Sequence, residues 1–250
     1  MTVSEQADAR EAQEIRELDR LVIAKSVLYT MGENDPTDPQ RRYVAAQWKP
    51  GQRALMADDP RLKKMPDKPK LMDFFKLRFG PAQHLLQSAN LARKNGCNEK
   101  IILACLLHDI AVIGFIRGDH GWYGAQLVEP YVDEEITWAI RAHQALRFYP
   151  DESVGYPYPE NYARWFGEDY VPEPYVQQLY KEALNHKWYM SGRLICVNDL
   201  YSFDPNVHVE LEDFTDIVGR NFRQPEEGLG FDNSPVAHMW RTIIWPTKFL

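Results

Sequence analysis

The chain is expected to fold as an all-α protein, and three observations carry that expectation. Apolar residues recur at helical spacing through most of its 250 positions. The segments they form tend to begin at capping residues, and they end at Gly, Asn-Gly or Pro. The run IILACLLHDIAVI, residues 101–113, is apolar on nearly every face and is expected to lie at the centre of the bundle.

In chain order, residues 5–29 predict an acidic amphipathic helix with Ile15, Leu18, Val22 and Leu28 as its stripe. Gly32 and the pair Pro36/Pro39 end it. Residues 49–70 are rich in proline and charge and predict a long surface connection with one short helical turn. Its basic cluster, Arg61, Lys63, Lys64, Lys68 and Lys70, is expected to be a solvated loop rather than a binding patch. The compact core begins near residue 80. Pro81 can occupy a first helical turn, and AQHLLQSANLARK runs on to a stop at Asn95-Gly96. Asn98 is placed to cap the central helix.

Gly114 and Gly118 bracket a turn, after which His120 opens a helix over 120–129. Asp133 is a cap for the helix 134–148, with Glu134 and Glu135 in the first turn, where the helix dipole favours them. Residues 149–174 hold five prolines among many aromatics, too many for continuous structure, and predict a lid-like insertion. Further helices are expected at 175–188, 190–203, 210–222 and 235–245, the last opened by Ser234-Pro235. With no internal repeat or clear linker, the chain reads as a single elaborated domain over 1–250, its core about 80–203.

Composition excludes several classes. A formal charge of -7 provides no electrostatic reason to expect nucleic-acid binding. No stretch approaches ~18 consecutive apolar residues, so no membrane span is expected. The opening MTVSEQADAREAQEIRELDR is polar and acidic, unlike a secretion signal. Cys97, Cys105 and Cys196 form no CxxC pair, which argues against a disulfide scaffold and suits a reducing cytoplasm.

Function is written in six side chains: His84, the adjacent pair His108-Asp109, His120, His143 and Asp199. Each lies in or beside a helical segment whose apolar pattern makes such a residue costly unless something satisfies it. Unrelated core-edge residues are the bland alternative, but the pair His108-Asp109 inside a strongly apolar helix favours one inward-facing metal site. Imidazoles and carboxylates without a thiolate partner suit Fe, Mn or Zn rather than an iron-sulfur or soft-metal centre. Six protein ligands exceed the usual tetrahedral zinc set, whereas two metals sharing a carboxylate would use them all. Arg147 follows His143 by one helical turn, so a guanidinium is available there for an anionic substrate group. Arg141 is expected to face solvent, and Trp122, Tyr123 and Trp138 to pack around the central helices. His186, His208 and His238 fall outside the pattern and are expected to be ordinary surface or packing histidines.

Over residues 80–203 the chain resembles the HD-domain superfamily, through His84, the pair His108-Asp109 and Asp199. The resemblance implies an HD-type helical bundle with N-terminal, aromatic-loop and C-terminal elaborations. His120 and His143 match its dinuclear subset, which includes phosphohydrolases and the mixed-valent diiron oxygenases similar to myo-inositol oxygenase and the phosphonate-cleaving oxygenases. The intervals of 24 residues from His84 to His108, 23 from His120 to His143 and 56 from His143 to Asp199 resemble the phosphonate oxygenases most.

The resemblance implies that His84, His108 and Asp199 hold one iron and His120 and His143 the other. Asp109 would bridge the two Fe ions (a mixed-valent Fe(II)/Fe(III) pair) and is the catalytic candidate. Arg147 stands where those oxygenases carry a substrate-contacting lysine. Ala111-Val112 replaces the Gly-Lys that often follows the pair, and Val112 stands where many hydrolases and oxygenases place a polar catalytic residue. The implied function is an O2-using oxygenase acting on a small anionic or polyol-like substrate. A phosphohydrolase using Mn or Zn and a non-catalytic metal-binding protein are the alternatives. The aromatics of the insertion, Tyr156, Tyr158, Tyr162, Trp165 and Phe166, could wall the site or cradle a quaternary ammonium.

Overall fold

The computed structural model describes residues 63–79, 82–111, 120–160, 162–163, 167, 169–200, 202 and 204–245, with scattered positions between 2 and 13. Nine α-helices lie within these spans: α1 (Leu71–Leu77), α2 (Gln83–Lys94), α3 (Glu99–Leu107), α4 (His120–Val128), α5 (Glu134–Leu146), α6 (Pro174–Leu184), α7 (Tyr189–Asp199), α8 (Thr215–Asn221) and α9 (Ala237–Ile244). Short 3-10 turns occupy Glu129–Tyr131, Glu152–Val154 and Leu211–Phe214. No strand is present among the described residues, only an isolated bridge between Asp151 and Tyr156. The protein is all-α.

Chain packing divides the protein into two compact units. The first comprises residues 1–14 and 81–224. Its centre is α3, in which every residue from Ile101 to Leu107 is buried, as the all-apolar pattern requires. Helices α2, α5, α7 and α8 pack around α3, and α7 lies along α5. Local chemistry sets the helix starts. Asn98 accepts a hydrogen bond from the Ile101 amide at 3.1 Å, and Asp133 accepts one from the Glu135 amide at 3.0 Å.

The second unit comprises residues 15–80 and 225–250. Helix α1, which the sequence pattern did not mark, sets Phe74 against Trp240 of α9, ring centroids 4.7 Å apart and edge to face. Buried Arg78 donates to the Ile244 carbonyl at 3.1 Å and to the Lys63 carbonyl at 2.8 Å, tying the ends of the unit together. Gly228 has φ +93, and a Cβ there would come within 2.7 Å of the Lys68 backbone, so only glycine fits.

Most helix boundaries fall within a few residues of expectation. The N-terminal helix is seen only at 5–7, 9–10 and 12–13; most of its predicted span, and most of the 49–70 connection, lie outside the described residues. Residues 149–159 run irregularly apart from the Glu152–Val154 turn, as the prolines demand. Helix α7 ends at Asp199 rather than 203. The chain beyond it is held by α2: Gln87 donates to the carbonyls of Asp204 and Val207, both at 2.9 Å, and Gln83 to that of Val209 at 3.0 Å. No described helix is long and apolar enough to cross a membrane.

Candidate metal centre

Four helices and the turn that follows α3 deliver the six predicted residues to one place. His84 lies in the first turn of α2, His108 and Asp109 where α3 gives way to a turn, and His120 at the start of α4. His143 lies in the last turn of α5, and Asp199 is the last residue of α7. All four imidazoles are buried, while the carboxylates of Asp109 and Asp199 keep 19% and 23% of their surface open, enough for access from one side.

Asp109 divides the group. Its Oδ2 lies 3.5 Å from His84 Nε2 and 3.6 Å from His108 Nε2. Asp199 Oδ1 completes that half, 3.0 Å from His84 Nε2 and 3.4 Å from His108 Nε2. The other oxygen, Oδ1, lies 3.1 Å from His120 Nε2 and 3.5 Å from His143 Nε2, and those two nitrogens are 3.2 Å apart. Donors about 2.1 Å from a shared ion stand about 3.0 Å apart at octahedral angles and about 3.4 Å at tetrahedral ones. The observed separations match both geometries. His84, His108 and Asp199 could hold one metal ion, and His108, Asp109 and His143 also converge closely enough to hold one. His120 joins the second half through Asp109 Oδ1.

The tautomers fit metal ligation as well. His108 Nδ1 donates to the Cys105 carbonyl at 2.7 Å, and His143 Nδ1 donates to the Ile140 carbonyl. Each bond leaves a lone pair on Nε2, facing the cluster. At His84 the partner is Ser202, 2.9 Å from Nδ1. Ser202 donates its hydroxyl proton to the Asp199 carbonyl at 2.6 Å, so towards His84 it can only accept. In the neutral ring His84 Nε2 is therefore also the atom that keeps the lone pair. Ser202 is buried and was missed in the sequence, because a lone serine beyond a helix end carries no periodic signal.

The cluster holds polar atoms that the protein does not satisfy. His108 Nε2 and Asp109 Oδ1 are buried and make no hydrogen bond. Such orphans are rare and call for an ion or other ligand. The electrostatics agree. Burial works against charge on Asp109, but His108, His120 and His143 outweigh it and hold the carboxyl well below its usual range. Asp199 is held low likewise, against burial, by His84 and His108. Burial depresses His143 to about 4, so it stays a neutral ligand. His84 and His108 are raised, because Asp199 and Asp109 overcome the effect of burial.

Arg147 caps the C-terminus of α5, with its guanidinium over the Phe148 ring at 4.9 Å and the Tyr162 ring at 5.6 Å. Its Nε is buried without a hydrogen-bond partner. The Tyr162 phenol and the carboxylates of Asp109 and Asp199 together outweigh burial and raise its pKa, so its charge is felt at the cluster. Tyr162, one of the aromatics of the insertion, thus lies against this guanidinium. Trp165 and Phe166 lie outside the described residues, as does Val112.

Two surface expectations need correcting. Trp122 and Tyr123 do not pack inside; they are 45% and 38% exposed, on the side of α4 turned from the core. Arg141 is not simply solvated, since it stacks over Trp122 at 4.7 Å with its Nε buried. Trp138 packs as expected, stacked on His186 at 4.0 Å. His208 and His238 are exposed.

No family model matches the chain. Over 78 residues it is 36% identical to a [1-hydroxy-2-(trimethylamino)ethyl]phosphonate dioxygenase (glycine-betaine-forming) of Leisingera caerulea. The match takes in 27% of this chain and 40% of that protein, so the chain spans well under half the length of the curated relative it matches. The likeness supports the resemblance to HD-type proteins seen in the six residues.

Proposed function

We propose that the protein is an HD-type diiron oxygenase that uses O2 to oxidise a small anionic substrate, with an organophosphonate undergoing C–P cleavage as the first candidate. One observation carries this reading: a single carboxylate, Asp109, turns one oxygen to His84 and His108 and the other to His120 and His143. A pair of Fe ions bound there would supply the O2-activating redox chemistry. His84, His108 and Asp199 would hold one ion, His120 and His143 the other, and Asp109 would bridge them.

The protein's own contribution is to orient and exclude. Backbone carbonyls fix two imidazole rings and Ser202 a third, so the donor atoms are set before any ligand arrives. The Arg147 Nε is buried without a hydrogen-bond partner, and the planar fork of the guanidinium suits a phosphonate, phosphate or carboxylate group. The aromatic residues beside Arg147 keep it out of bulk water, which strengthens its hold on an anion. The relative's action on a phosphonate favours that group over a polyol.

The test is anaerobic reconstitution with iron, followed by Mössbauer and electron paramagnetic resonance spectroscopy with and without a 1-hydroxyalkylphosphonate. The reading expects two irons per chain, a mixed-valent coupled signal that the phosphonate perturbs, and O2 uptake that releases phosphate. Hydrolysis of a phosphoester with Mn or Zn in the absence of O2 would overturn it in favour of a phosphohydrolase. Metal binding without either turnover would leave a non-catalytic metal protein.

A further inference from the structure

Helices α4 and α5 each carry one histidine to the cluster, and their other faces build a second cavity. At 3.6 residues per turn, Arg141 lies about 200° from His143, and Trp122 lies about 200° from His120. These side chains therefore point away from the imidazoles. With Tyr123, Gln144 and, from α6, Tyr175 and Leu179, they line a cavity of about 420 Å³. That volume lies in the range of small-molecule sites.

The lining is unusual for surface left to water. Trp122, Tyr123 and Tyr175 are 45%, 38% and 49% exposed, so three large aromatic side chains are gathered on one concave face. Arg141 lies among them with its guanidinium 4.7 Å over the Trp122 ring and its Nε buried without a hydrogen bond. Among the described residues it makes no ion pair either. A buried N–H on a permanent cation, with no acceptor among the described residues, calls for one from a ligand.

We propose that this cavity binds a small aromatic carboxylate. The ring would lie against Trp122, Tyr123 and Tyr175, and the carboxylate would accept from the Arg141 fork, which matches its two oxygens. The lining offers one full positive charge in a mostly apolar setting, which suits one negative charge better than a dianion. A cationic aromatic is disfavoured, because the Arg141 guanidinium beside Trp122 would repel it. The frame is rigid: a Cβ at Gly121 would meet the Ile140 carbonyl at 2.9 Å, and the Gly121 amide donates to Gln144 Oε1 at 2.8 Å.

Isothermal titration calorimetry with 2-naphthoate and the neutral 2-naphthylmethanol tests the proposal on the full chain. Naphthoate should bind at least about tenfold more tightly than the alcohol, the worth of a charged hydrogen-bonded pair. Arg141→Gln should abolish that preference, and Trp122→Ala should weaken both ligands several-fold. Arg147→Gln, on the metal-facing side, should leave naphthoate binding unchanged. Thermal unfolding of each variant shows that the fold is retained. The absence of saturable naphthoate binding would overturn the proposal. So would a preference that survives Arg141→Gln, unchanged affinity in Trp122→Ala, or binding lost in Arg147→Gln but not in Arg141→Gln.

Discussion

At His84 one hydroxyl proton decides which ring nitrogen faces the cluster. Because Ser202 donates to the Asp199 carbonyl, its oxygen can only accept from Nδ1, and Nε2 is left as a lone pair. Ser202→Ala should therefore weaken metal binding by about 10–100-fold, measured by competition with a chelator of known affinity. Unchanged affinity would remove Ser202 from the site. Asp109→Asn preserves the shape but replaces one carboxylate oxygen with an amide that cannot ligate. On the proposed dinuclear reading, metal content by plasma mass spectrometry should fall from two ions per chain to one or none. Two ions retained in the variant would refute the bridging role. The histidines were legible in the sequence because an imidazole in an apolar helix must be explained. Ser202 was not, since its partner is 118 positions away.

At the scale of an element, the C-terminal end of α5 carries both His143 and Arg147, and α7 holds it in place. Arg193 of α7 is fully buried and donates to the Leu146 carbonyl at 2.9 Å and the Tyr149 carbonyl at 2.8 Å. Its Nε also lies 3.6 Å from Asp151. Tyr189 donates to Asp151 at 2.7 Å, and Tyr156 donates to the Arg147 carbonyl at 3.0 Å. These bonds satisfy helix-end carbonyls that would otherwise be stranded. Arg193→Met should destabilise the protein by roughly 3 kcal/mol, read from urea unfolding, because it leaves buried acceptors and Asp151 without their partner. Arg193→Lys should recover only part of that loss, since an ammonium cannot span the same acceptors. A neutral effect of Arg193→Met would show that α5 is held by packing alone. Helix starts in this region were readable from Asn98 and Asp133, whose caps are local. The end of α7 was not, because the chain beyond it is set by Gln83 and Gln87 of α2.

At the scale of the whole molecule, the cluster stores repulsion and unsatisfied polarity that bound metal would relieve. Removing metal with a chelator should lower the thermal midpoint by about 5–10 °C, if binding contributes a few kcal/mol at saturating metal. His84 and His108 have raised pKa values because Asp199 and Asp109 outweigh burial, so protons compete with an ion for these rings. Metal affinity should accordingly fall as the pH is lowered, with protons released on binding. Calorimetry in two buffers of different ionisation enthalpy measures that release, and a buffer-independent heat would contradict it. The sequence by itself determined the all-helical class, the central burial of α3 and the chemical type of the site, because periodicity, caps and costly polar residues are local signals. Only the tertiary structure decided that Asp109 faces both halves of the cluster, that Ser202 orients His84, and that Arg141 and Trp122 share a cavity. Those relations depend on where separate helices meet, and the packing of the folded chain settles that.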